Sequence, residues 1–182
     1  MINKLAIQIR EMQDLAEQWE TIKHSVSSSS IGWHLAHNLQ VINGVVASIA
    51  ASNPANYAPK HTFVKWLILL TKKIPRGKAR APKMTIPIQI DKVELDAALD
   101  RASLSVLNLL NQSPNQYFTH PMFGDLNTKL AARFLWIHTE HHLKIARDIL
   151  KYSAFFFLRL NDLGLLSVLL VVSPHSFCSL NQ

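Results

Sequence analysis

Apolar residues recur along this chain at spacings of three and four. Leu5, Ile9, Met12, Ala16 and Trp19 draw a stripe that continues to Ile22 or Lys23. That period predicts a first helix over about residues 3–23. The run "SVSSSS" interrupts the pattern, because serine competes poorly in helix interiors but caps the next helix well. A second helix is expected over residues 31–51, and Pro54 and Pro59 in "SNPANYAP" forbid its continuation. "FVKWLILL" predicts a short apolar helix over residues 62–71. The stretch "KKIPRGKARAPKMTIPIQ" follows, and its prolines and cations make it an irregular connection.

Asp91 is placed to cap a long helix over residues 92–111, with Leu95, Ala98, Leu99, Ala102, Val106 and Leu109 as its stripe. "SPNQYFTHPMFGDLN" holds Pro114, Pro121 and Gly124 and is expected as a loop. Asn127 or Thr128 then caps a last helix that runs to about residue 151. Helices of this length are marginal alone and must bury their stripes against one another. The expected fold is therefore all-α: a four-helix bundle with one extra short helix, over residues 1–151. Two connections are long, so simple up-and-down neighbours are not assumed.

After Lys151 the composition shifts to an apolar tail, residues 152–182. Its longest uncharged run, from Leu163 to Pro174, is short for a membrane span. Extending the span back to Phe155 would bury Arg159, Asn161 and Asp162 at a high cost. Packing of the tail on the bundle or on a second chain is preferred to membrane association and to a poorly ordered segment or an out-of-frame end. Cys178 is the one cysteine. No disulfide can form within the chain, residues 1–24 show no continuous apolar segment, and a cytoplasmic location is expected.

Charge changes the picture locally. The chain carries +7 overall, yet Lys60, Lys65, Lys72, Lys73, Arg76, Lys78, Arg80 and Lys83 supply +8 within one stretch that has no Asp or Glu. A solvated connection explains such a run; so does a surface for an anionic substrate, with Lys72, Lys73, Arg76, Lys78 and Arg80 steering it. No zinc-finger spacing or aromatic RNA-binding motif accompanies it, so nucleic acid is not an expected partner. A small-molecule substrate and a homodimer are.

The candidate chemistry lies in "LWIHTEHHLKIARDIL". His138 and His142 are four residues apart and share one helix face with Ile145 and Ile149. His141 lies about 60° off that face, and Glu140 is expected to point to solvent. Two neutral imidazoles buried together need partners, and a divalent metal satisfies both lone pairs. A third ligand must come from elsewhere. "SIGWHLAHNLQVIN" offers His34 and His37, and spacing alone does not choose between them. The competing reading is a set of hydrogen-bonded core histidines. His120, in the loop before the last helix, is placed to lie over the mouth of the bundle. Asn38, one turn after His34, is placed to orient a ligand.

"SIGWHLAHNL" and "HPMFGDLNTKLAARFLWIHTEHHLKIARDIL" resemble the DinB/YfiT-like superfamily of metalloenzymes, and within it a subgroup of unknown function. The resemblance covers about residues 1–151. It implies a four-helix bundle that binds a divalent metal (zinc, nickel or iron) through one histidine of the second helix and a His-x-x-x-His pair of the last. Matched onto "WHLAHN", it selects His34 to join His138 and His142, and it raises His120 and Phe123 as pocket residues, with His141 at most beside the ligands. Characterised relatives include transferases and isomerases that use low-molecular-weight thiols. The expected function is a metal-dependent thiol S-transferase or hydrolase working through a three-histidine site. The alternative is a non-catalytic helical module, membrane-associated through its tail.

Overall fold

A computed structural model describes residues 1–77 and 85–162, with side chains to residue 151. The protein is mostly helical, with a small two-stranded sheet. Its helices are α1 (Ile2–Ala16), α2 (Ile31–Ala51), α3 (Phe63–Thr71), α4 (Lys92–Asn108) and α5 (Thr128–Asp162). A 3-10 turn, Leu109–Asn111, completes the segment expected as the end of α4.

Side-chain caps set most helix starts. The Ser30 hydroxyl accepts from the Trp33 amide at α2, Thr62 from Lys65 at α3, and Asp91 from Glu94 at α4. Helix α1 ends at Ala16, seven residues earlier than its apolar period suggests. The amides of Ile31 and Gly32 at the start of α2 donate to the carbonyls of Thr21 (2.9 Å) and Trp19 (2.7 Å). Those carbonyls thus satisfy orphan donors of the next helix. Trp19 still packs on the core, but from a turn.

The segment expected as a loop after α4 contains a hairpin, so the fold is not purely helical. Strand β1 (Tyr117–His120) pairs antiparallel with β2 (Gly124–Asn127), with Phe118 opposite Leu126 and His120 opposite Gly124. Gly124 sits at φ +67 against the Lys60 side chain, where a Cβ would meet that chain at 2.9 Å. Leu126 and Phe123 face the core. Helix α5 runs past the expected end near residue 151 to Asp162, and no Pro or Gly lies between Thr128 and Asp162 to stop it. The expectations for the rest of the apolar tail, residues 163–182, fall outside the described residues. Among the described residues no helix is long and apolar enough to cross a membrane.

Helices α1 and α2 each pack against both α4 and α5, and only lightly on each other. Leu5, Ile9 and Met12 of α1 meet Leu35, Leu39 and Ile42 of α2, Leu95, Leu99 and Ala102 of α4, and Leu135, Leu143 and Ala146 of α5 in one core. Arg147 joins the ends of this arrangement, donating to both carboxylate oxygens of Glu11 on α1 and to Glu140 on its own helix. Glu140 is therefore tied down rather than simply solvated, and it also accepts from Gln8 at 3.0 Å. Burial opposes its charge, but the hydrogen bonds from Arg147 and Gln8 prevail and hold its carboxyl below the usual range.

Candidate metal centre

Helices α2 and α5 lie side by side and each presents histidines to the other. From α5, His138 and His142 stack one turn apart, with ring centroids 4.7 Å apart. From α2, His37 approaches both, at 5.3 Å from His138 and 4.8 Å from His142. One nitrogen from each of His37, His138 and His142 lies within 4.8 Å of the others. His37 and His142 are buried, whereas His138 keeps some surface in contact with solvent. These are the three histidines that the structure brings together.

The Nδ1 of each ring has a hydrogen-bond partner, and for His138 and His37 that partner fixes the tautomer. His138 Nδ1 lies 3.0 Å from Asn38 Oδ1, and that oxygen can only accept. The Asn38 oxygen also accepts from the Thr139 hydroxyl at 3.3 Å, while its amide nitrogen donates to the Met12 sulfur. Asn38 is fully buried and so is held on both sides. His37 Nδ1 donates to the Thr85 carbonyl at 2.6 Å. In both rings the proton sits on Nδ1, which leaves the Nε2 lone pair free to bind a metal. His142 Nδ1 faces His34 Nδ1 at 3.1 Å.

His34, the histidine that the resemblance selects, lies beside His142 but outside the group of three whose nitrogens converge. Its ring touches His142, and its Nε2 lies 2.9 Å from the Ser27 hydroxyl, which also accepts from the Ser29 amide. Trp33 separates the two α2 histidines: it stacks on His37 at 11° and meets His34 edge-on. His37 is the α2 histidine in the group of three that could hold an ion. Both histidines are buried on α2, so neither burial nor spacing in the sequence distinguishes them. Only the approach of α5 does.

Burial keeps these rings neutral. It lowers His34 to about 4, with His37, His141 and Arg76 adding repulsion. It lowers His138 to about 3, with His37, His141 and His120 adding to the effect. His142 and His37 are also lowered, chiefly by burial. A neutral imidazole is the form that binds a metal. The three converging rings, His37, His138 and His142, fit a divalent cation by their donor chemistry.

The surrounding candidates divide. His141 meets His142 edge-on at 5.1 Å and is lowered by burial and by Arg76, at the rim. His120 stacks on Phe123 with centroids 4.0 Å apart, and its Nδ1 accepts from the amides of Met122 and Phe123. Phe134 stands between His120 and His138, at 4.8 Å from one ring and 5.6 Å from the other. His120 and Phe123 thus form an aromatic wall through Phe134 rather than a direct contact. Of the cations expected to steer an anion, Arg76 is paired with Asp148 at 2.7 Å and Lys72 lies over the Trp136 ring. Lys73 is exposed, and Lys78 and Arg80 fall outside the described residues. Ser25, Val26, Arg76 and Asp148 line a surface cleft of about 450 Å³. The next residue after Val26, Ser27, contacts His34.

No match was found among the curated proteins or the solved structures. A family model described as "Protein of unknown function (DUF1569)" matches residues 1–148, which hold α1 to α4, the hairpin and every histidine of the cluster. The chain belongs to the DUF1569 family.

Proposed function

We propose that this protein is a divalent-metal protein of the DinB/YfiT kind, with His37, His138 and His142 as its ligands through Nε2. One observation carries the reading: three imidazoles from two helices converge, and the Nδ1 atoms of two of them are already committed to the Thr85 carbonyl and Asn38. His34 is the outer partner of His142. With Nε2–H donated to Ser27, its Nδ1 accepts the His142 Nδ1–H and leaves the third Nε2 free. Every ligand is then held by a second group, as working metal sites require.

Three neutral ligands leave a metal with an open position, from which it can lower the pKa of water or a thiol or polarise a carbonyl. The residues around it do the rest. Asn38, Thr85 and His34 fix ring orientation, Phe134 and Phe123 exclude water on one side, and His138 keeps the site reachable. A hydrolase or a thiol S-transferase is the activity this arrangement serves. Zinc, nickel and iron all suit imidazole donors.

Elemental analysis of untagged protein tests the ligand set. The wild type should carry about one metal per chain, and His37→Ala, His138→Ala and His142→Ala should each carry almost none. His34→Ala should keep the site but bind about 10- to 100-fold more weakly. Full occupancy in His37→Ala together with an empty His34→Ala would restore His34 as the ligand. No binding of zinc, nickel or iron by the wild type would end the proposal. Incubating metal-loaded protein with several thiols and a generic electrophile then separates a transferase from a site that only binds.

A further inference from the structure

Helix α3 is built with its apolar face outwards. Phe63, Trp66, Leu67 and Leu70 recur at i, i+3, i+4 and i+7, and they are 79%, 45%, 46% and 77% exposed. The opposite face does the packing. Lys65 and Leu69 are buried, the Lys65 ammonium donates to the Lys60 carbonyl, and Arg133 of α5 donates to the Leu69 carbonyl at 2.9 Å. An ordinary surface helix turns this pattern round. The stripe therefore exposes a contiguous apolar patch of the kind that marks an interaction surface.

Charge says what kind of surface it meets. Lys60 precedes the helix and Lys72 and Lys73 follow it, and no Asp or Glu occurs from Lys60 to Lys83. A second copy docked face to face would bring two such cationic segments together. The tail of this chain offers no matching charge, since residues 152–182 hold one Arg and one Asp. Exposed Phe, Trp and Leu within a rim of lysines match the interface of a bilayer containing anionic lipid.

We propose that the outer face of α3 docks the protein peripherally on anionic membranes, with Phe63, Trp66, Leu67 and Leu70 inserted at headgroup depth and Lys60, Lys72 and Lys73 on the phosphates. This does not depend on the metal site. Co-sedimentation of the full chain with vesicles tests it, comparing phosphatidylcholine alone with a mixture containing phosphatidylserine. Binding should require the anionic lipid and weaken about tenfold or more in high salt. The Phe63→Ser/Leu70→Ser variant should lose at least about tenfold in binding with an unchanged melting temperature, and Lys72→Glu/Lys73→Glu should lose about as much. Three results would overturn the proposal: no binding to anionic vesicles, equal binding by the serine variant, or a serine variant that melts markedly lower or changes oligomeric state. The last would mean that protein, whether the tail or a second copy, already covers the face.

Discussion

The histidines form a chain of neutral rings in which each position has a defined partner, and this sets how the metal-free protein responds to acid. His120 and His34 are lowered to about 4 and His138 to about 3, all chiefly by burial. In the unfolded chain each returns to about 6.5. Between those values the unfolded chain binds more protons than the folded one, so stability falls as pH falls. Full stability is present above about pH 6.5, and each of these histidines withdraws on the order of 1–2 kcal/mol by about pH 5. Denaturant melts of metal-free protein at pH 7.5 and 5 should show that loss, and replacing His120 by Phe should reduce it. Equal stability at both values would show that these rings titrate normally. At this scale the sequence was partly legible. The i, i+4 pair was readable because helix geometry fixes which side chains share a face. Which α2 histidine comes closest to that pair was not, because it depends on where α5 lies against α2.

At the scale of elements, α2 begins and ends at the residues its serine cap and prolines specify, since capping is local chemistry. Where a tertiary partner competes for the backbone, the local pattern misleads. The stripe of α1 continues through Trp19, yet the Trp19 carbonyl is taken by the Gly32 amide. The hairpin was hidden because its strands are four residues each and Pro121 and Gly124 flank its turn. Its pairing pins His120 and Phe123 beside Phe134. Gly32 offers the test of the α1–α2 junction. A Cβ there would lie 2.9 Å from the Trp19 carbonyl oxygen and 3.2 Å from the Trp19 side chain. That oxygen cannot retreat without breaking its bond to the Gly32 amide. Alanine normally favours a helix, but Gly32→Ala should destabilise by about 1–3 kcal/mol through this clash. A chemical-denaturation midpoint that rises instead would show the junction to be loose.

Across the whole molecule, a metal bound at the candidate site would also act as a fastener. The three histidines come from α2 and α5; α4 packs against α2, and α1 against α5 and lightly against α2. A ligand that binds only the folded state stabilises it in proportion to the logarithm of its saturation, and this site does not exist in an unfolded chain. At a hundredfold excess over its dissociation constant, zinc or nickel should add about 2.7 kcal/mol. For a chain of this size that raises the melting temperature by about 5–10 °C. His138→Ala should show no such rise, and chelator should return the wild type to its metal-free melt. The size of the loss distinguishes two roles. Asn38, Thr139 and the core around them are hydrogen-bonded or packed among themselves. A preformed pocket of this kind should leave the metal-free protein folded and cooperative, with binding energy directed at whatever occupies the open position. Cooperative unfolding of the chelated protein near or below room temperature would instead make the metal a structural staple and remove the case for an activity.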